Sequence, residues 1–196
     1  MGYSNKYYFG HFTDNREWQL RVAADIVEVL KINSLLDLGC GIGAFLEGSY
    51  DAGCKNVLGV EINKSKAIEY IPQKFRQNVL EKDITQPLNL ITKKFDCVLS
   101  FEVGEHIIPE GSSQFVDSLT SYTDKYIFLT AAPPGQRGTG HINLREKDFW
   151  LEIVKERGFK HKRKWVKYFQ DRWMKFENPP KYRRYIINNL MIFTRK

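Results

Sequence analysis

Apolar positions along this chain change period several times, and each change marks an element. Leu20, Ala23, Ile26, Val27 and Leu30 recur at steps of three and four, the spacing of one helix face. Asp14, three residues before Glu17, gives this helix a capping-box-like start. Short apolar runs follow at "SLLDLG" (34–39), "NVLGVE" (56–61), "QNVLEKD" (77–83), "FDCVLSFE" (95–102) and "KYIFLTAA" (125–132), and each predicts a strand. Helical patterns fall between them: one runs from the glycines after residue 38 to about Tyr50. A second is capped by Asn63 and stopped by Pro72, a third spans 112–122, and a fourth spans 145–158 with Gly158 closing it. The tail reads differently. "FKHKRKWVKYF" (159–169) and "YIINNLMIFTRK" (185–196) look like strands joined by a basic, aromatic link, and no helix is predicted there.

Strands alternating with helices of this length make a parallel sheet covered on both faces. A last strand pair with no crossover helix implies an antiparallel strand at one edge. With no repeat, low-complexity tract or linker, residues 1–196 read as one α/β domain, of which 1–31 are an N-terminal arm and helix.

Composition adds limits. The 196 residues are 42% apolar and 14% aromatic, which suits a packed core. No apolar stretch reaches the roughly 20 residues of a membrane span, and the start lacks a signal-peptide centre, so an intracellular, cytoplasmic protein is expected. Cys40, Cys54 and Cys97 have no metal-ligand spacing and read as reduced thiols. The net charge of +7 is concentrated in 160–176 and 181–184. That excess is either a solvated surface or a patch for an anionic partner such as nucleic acid. Oligomeric state is not legible.

"LLDLGCGIG" carries the first chemical signal. Gly39, Gly41 and Gly43 follow a buried-type strand, where the backbone of an open α/β sheet approaches its ligand. Glu61 ends the second strand, about 20 residues on, where a carboxylate accepts hydrogen bonds from ribose hydroxyls. Gly39 to Ala44 also satisfy the loose dinucleotide pattern. Against a dinucleotide, Asp37 suits a cationic ligand better than a pyrophosphate, and Asp83 ends the third strand where an adenine amino group would lie. A cation, a ribose and an adenine together describe S-adenosylmethionine.

"LLDLGCGIG", "GVEIN", "EKDI" and "FDCVLSFEVGEHI", in this order, resemble the class I S-adenosylmethionine-dependent methyltransferases, including their small-molecule and sugar O-methyltransferases. The resemblance extends from about residue 14 to the C-terminus. It implies a Rossmann-like, doubly wound sheet of seven strands in the order 3-2-1-4-5-7-6, strand 7 antiparallel. It further implies that Asp37 lies near the amino-acid end of the cofactor, and that Gly39, Cys40 and Gly41 line it through their backbone. Glu61 and Ile62 would hold the ribose and adenine, Asp83 and Ile84 the adenine, and Ser100, Phe101 and Glu102 the methionine moiety.

Methyl transfer to a hydroxyl needs a group that takes its proton. Glu105 and His106 after strand 4, and His141 in the Gly- and Pro-rich segment after strand 5, are the candidates. His141 is preferred, because histidine titrates near neutral pH. Glu102, Glu105, His106 and His141 match no established metal motif, so no metal site is assigned. The expected acceptor is a small polar molecule, with a glycan hydroxyl favoured. The alternatives are an RNA or nucleotide methyltransferase, with bases stacking on Trp165, Tyr168 or Trp173, and an inactive cofactor-binding subunit. The aromatic segment 3–18 is expected either to fold over the cofactor as a lid or to pack on the sheet edge.

Overall fold

A computed structural model of the chain describes residues 8–10, 13, 15–90, 94–177 and 183–196. Asp14 and residues 178–182 lie outside these, and with them the predicted capping box and most of the Pro-rich loop. In chain order the elements are α1 (Arg16–Leu30), β1 (Ser34–Leu38), α2 (Ala44–Asp51), β2 (Asn56–Val60), α3 (Lys64–Ala67), β3 (Val79–Leu80) and β4 (Phe95–Phe101). They continue with α4 (Ser112–Ser121), β5 (Thr123–Thr130), α5 (Lys147–Glu156), β6 (Phe159–His161), α6 (Arg163–Trp173), α7 (Arg183–Asn189) and β7 (Met191–Arg195). The seven strands form one sheet, ordered β3-β2-β1-β4-β5-β7-β6, with β7 antiparallel to both neighbours.

Side chains alternate across β1, and the two faces feed separate cores. Leu35 joins Val22 and Ile26 of α1, Leu46 of α2, and Phe169 and Trp173 of α6. Leu36 and Leu38 join Phe115 and Leu119 of α4 and Trp150 and Val154 of α5. Asp37 shares the face of Leu35, so its carboxyl is driven toward the first core.

The tail corrects the sequence reading. Only Phe159–His161 of the first basic stretch is a strand, and α6 and α7 occupy the segment expected to be helix-free. Val166, Phe169 and Trp173 recur at steps of three and four and are buried, which is the helical period hidden among lysines and aromatics. The antiparallel strand is not at the edge: β7 sits between β5 and β6, and β6 forms the edge. The predicted third strand shrinks to Val79–Leu80, leaving Glu61 one residue beyond β2 and Asp83 three beyond β3. The helix expected over 63–72 is a single turn, and the Asn63 side chain makes no cap hydrogen bond.

The aromatic candidates for base stacking also separate. Trp173 is fully buried and donates its indole N–H to Asp25, so no base can reach it. Asp25, itself only 4% exposed, accepts a fork from Arg172, with Nε at 2.9 and 3.1 Å from its two oxygens. This pair ties α1 to α6 across 147 residues of chain. Among the described residues, no helix is long and apolar enough to cross a membrane.

Arg172→Met should leave the Asp25 charge buried with only the indole donor. Urea unfolding should show a loss of about 1.5–3 kcal/mol, the worth of hydrogen bonds to a charged group. Asp25→Asn combined with Arg172→Met should recover part of that loss.

Candidate active site

The order of the strands reverses at β1, whose neighbours β2 and β4 are both parallel to it. The connections after β1 and β4 therefore leave in opposite directions and open a crevice at the strands' carboxyl ends. A cavity of about 620 Å³ lies there. Asp37, Gly39, Cys40, Gly41, Glu61, Ile62, Asp83, Ile84, Phe101, Glu102, Glu105, His106 and His141 all border it.

Backbone geometry explains the glycine turn. Gly39 has φ 88°, and a Cβ there would stand 2.4 Å from a Val103 methyl. Gly41 has φ 51° and nothing within 4 Å of where a Cβ would be, so its missing side chain is open space facing the cavity. Glu61 is buried and fixed at both oxygens. Oε2 accepts from the Gly41 N–H at 3.0 Å, and Oε1 accepts from the Asn63 N–H at 3.0 Å and from the Tyr8 hydroxyl at 3.1 Å. Tyr8, 1% exposed, thus brings the N-terminal segment against the candidate ribose carboxylate.

Asp37 is the uncompensated charge of this end. Its Oδ2 is buried with no hydrogen-bond partner among the described residues. Burial, and then the negative charge of Glu61, raise its pKa to about 8. A buried acid beside a glycine cradle fits a ligand that carries a cationic group, as S-adenosylmethionine does.

Two of the expected cofactor residues are otherwise engaged. Ser100 is fully buried, does not border the cavity, and donates its hydroxyl to the Leu38 carbonyl at 2.7 Å. It braces β4 against β1 instead of meeting the methionine moiety. Asp83 reaches the cavity wall, but its Oδ1 accepts from the N–H and hydroxyl of Thr85 at 2.8 and 2.7 Å, shaping a turn. Ile62, half exposed, and Ile84, buried, supply apolar wall on either side.

Glu105, His106 and His141 also border the cavity and come together although 35 residues separate the two histidines. The backbone builds this corner: the N–H groups of Ile142 and Asn143 donate to the Glu105 carbonyl at 2.9 and 3.0 Å. His106 Nδ1 donates to the Gly140 carbonyl at 3.1 Å, and His141 Nδ1 to the Gln136 carbonyl at 3.0 Å. Because carbonyls only accept, each Nδ1 carries the proton and each Nε2 keeps its lone pair when the ring is neutral. His141 Nε2 lies 4.0 Å from Glu105 Oε1. Glu105 has no exposed surface, and neither oxygen is hydrogen-bonded among the described residues. Burial first, and then the charge of Glu102, push its pKa up to about 8, against a weaker pull from the backbone N–H groups of Glu105 and Ala132.

The residues that position Glu102 and His141 were not legible in the sequence. Glu102 adopts φ 54° and is held there by its N–H to Thr130 Oγ1 at 2.8 Å. Its carboxylate accepts from Gln136 Nε2 at 2.8 Å and Asn189 Nδ2 at 3.2 Å. Asn189 lies in the tail read as a strand, so no periodicity pointed to it. Gly138 packs on the His141 ring so closely that a Cβ would sit 2.1 Å from Nε2.

A methyltransferase-domain profile matches residues 36–121, from β1 through α4. The ubiquinone biosynthesis O-methyltransferase of Bradyrhizobium sp. (strain ORS 278) is 26% identical over 162 residues, 82% of this chain and 58% of the relative. The chain therefore spans little more than half of that curated relative. The magnesium protoporphyrin IX methyltransferase of Synechocystis PCC 6803, solved with bound S-adenosylhomocysteine, is 23% identical with a TM-score of 0.59, covering 76% of this chain and 75% of that one. The sugar N-methyltransferase KedS8 of Streptoalloteichus superposes with a TM-score of 0.66 at 14% identity, over 100% of this chain and 94% of that one. The sheet order and glycine cradle are those of the class I S-adenosylmethionine-dependent methyltransferase fold, and residues 36–121 match a methyltransferase-domain model. The Synechocystis enzyme is solved with S-adenosylhomocysteine and with S-adenosylmethionine bound.

The sign of the Asp37 shift gives a test. The unfolded chain releases this proton near pH 4 and the folded chain near 8, so the group subtracts stability progressively as pH rises between those values. Asp37→Asn should remove that loss, and its unfolding midpoint should exceed wild type most at pH 8 and least at pH 4. The same variant should bind S-adenosylhomocysteine more weakly in calorimetry, because the neutral amide cannot pair with an ammonium group.

Proposed function

We propose that the domain transfers a methyl group from S-adenosylmethionine to a hydroxyl oxygen, and that the acceptor has an apolar body. The observation that carries this reading is the cluster of Glu105, His106 and His141, which borders the same cavity as Asp37 and Glu61. The cofactor supplies an electrophilic methyl on a sulfonium. A hydroxyl is a weak nucleophile until its proton begins to leave, and the chain offers His141 Nε2 to receive that proton. Gln136 holds the His141 ring through Nδ1, and a carboxyl oxygen of Glu105 lies 4.0 Å from its Nε2. The O-methyltransferase named for the curated relative agrees with oxygen as the target.

The walls disfavour the glycan expected from sequence. Ile107, Ile108, Ile142, Tyr185 and Ile186 border the cavity, and Ile108, Ile142 and Tyr185 expose 54%, 42% and 45% of their surface. A sugar needs a dense set of polar partners, whereas these side chains remove apolar surface from water.

His141→Ala should lower kcat by about 10²–10⁴-fold and leave S-adenosylhomocysteine affinity nearly intact. The assay is methyl transfer to a panel of phenols, sugars and short RNA, followed by S-adenosylhomocysteine release. Turnover on sugars and none on apolar hydroxyl compounds would overturn the acceptor class. No turnover on any pool, with cofactor binding preserved, would favour the inactive subunit.

A second reading, a nucleic-acid acceptor, is favoured by the exposed cations Arg163, Lys164 and Lys167 on α6 around the exposed Tyr168. If α6 binds RNA, affinity should fall steeply between 50 and 200 mM salt by counterion release, and replacing Lys162, Arg163 and Lys164 should flatten that slope.

A further inference from the structure

Asn189 ends α7 and does not border the cavity, yet it is buried and its amide is shared between two residues that do. Its Nδ2 donates to Glu102 Oε1 at 3.2 Å and to Gln136 Oε1 at 3.0 Å. Gln136 Nε2 donates to Glu102 Oε2 at 2.8 Å, so side chains from three separate segments close into a triangle. The acid dictates how the amides turn. A carboxylate only accepts, so both amides point nitrogen at Glu102, and Gln136 then presents its oxygen to Asn189. Gln136 also carries the backbone carbonyl that takes the Nδ1–H of His141 at 3.0 Å. One residue therefore meets Asn189 through its side chain and His141 through its main chain.

A neutral imidazole has one N–H, which can sit on either nitrogen. While Nδ1–H is held on the Gln136 carbonyl, His141 Nε2 keeps its lone pair. A ring released from that carbonyl can carry its proton on Nε2, and it then has no lone pair there to offer. Glu102 alone does not fix Gln136, because a single bond leaves the amide free to turn about it. The bond from Asn189 removes that freedom. Asn189 is placed in turn by the last turn of α7, which is pinned from two sides. Gln170 Nε2 of α6 donates to the Ile187 carbonyl at 2.7 Å, and Lys147 Nζ of α5 to the Asn188 carbonyl at 3.0 Å. We propose that Asn189 is a positioning residue for methyl transfer: it fixes the side chain of Gln136, and through that residue's carbonyl it sets the tautomer and direction of the His141 ring. This rests on the reading above that His141 Nε2 receives the acceptor's proton. It also joins the acceptor wall to the base, because Tyr185 and Ile186 of the same helix border the cavity.

Two measurements on the whole chain test this, and one of them needs no turnover. In protein labelled with ¹⁵N-histidine, at a pH where the rings are neutral, nuclear magnetic resonance should show His141 with a protonated Nδ1 and a bare Nε2. Asn189→Ala should move these signals toward those of a ring exchanging between tautomers, while S-adenosylhomocysteine affinity, which reports on folding, stays unchanged. In the assay on phenols the same variant should lower kcat by about 10–10²-fold, as misplacing a reacting group by an ångström does, and leave the acceptor KM in place. Asn189→Asp separates positioning from packing. It keeps the shape of the side chain but sets an acid against Glu102 and the Gln136 oxygen, so it should be slower than Asn189→Ala. A residue that only fills space would rank the two the other way. In a His141→Ala background, Asn189→Ala should cost nothing further, since its effect passes through the missing ring. Unmoved His141 signals in both Asn189 variants, or an equal loss of rate with and without His141, would overturn the proposal. Shifted signals in a protein that methylates nothing in the panel would leave the positioning standing and remove the reaction proposed above.

Discussion

The structure depends on β1 being paired in parallel on both sides. Asp37 is aligned with Gly59 of β2 and with Leu99 of β4, and the sheet reverses its order around it. Because all three strands run the same way, their last residues open onto one edge, and the functional groups hang from that edge at controlled spacing. Asp37 comes from β1, Glu61 from beyond β2, Glu102 and Glu105 from beyond β4, and His141 from beyond β5. The cavity is the space left when loops depart in opposite directions.

Carboxylates dominate that edge, and they are solved in different ways. Glu61 is satisfied by two backbone N–H groups and the Tyr8 hydroxyl. Glu102 is satisfied by two side-chain amides. Asp37 and Glu105 are left with buried oxygens that nothing described in the chain pairs, and both are pushed toward neutrality. An unpaired buried acid destabilises the fold, so these two positions stand out as places for a ligand group to pair with. Both border the same cavity.

Sheet order and cofactor edge were legible because they rest on local signals: apolar runs, closely spaced glycines and acids just past strand ends. Asp37, Gly39, Gly41 and Glu61 stand where those signals put them. Ser100 turns out not to border the cavity and Asp83 also shapes a turn, because whether a polar group faces a ligand or a neighbouring backbone depends on packing that spacing does not encode. The tail was misread for a related reason. In α6 a single buried stripe, Val166, Phe169 and Trp173, is set among so many basic and aromatic residues that strand-forming composition outweighed its period. With α7 hidden the same way, Asn189 could not be placed beside Glu102. The acceptor corner was legible as residue types but not as a cluster, since its geometry comes from backbone hydrogen bonds between the segments after β4 and β5.

The bond between Asp25 and Arg172 joins the first described helix to one of the last, and this governs the order in which the chain can be completed. While the chain is being synthesised, α1 emerges long before α6, and until residue 173 is available Asp25 has neither the guanidinium nor the indole that shelters it. Val22 and Ile26 of α1 share their core with Phe169 and Trp173 of α6, so until the C-terminal segment arrives part of that apolar stripe lacks its cover. A nascent chain stalled before α6 would therefore display the apolar stripe of α1 to chaperones, and a finished one would not.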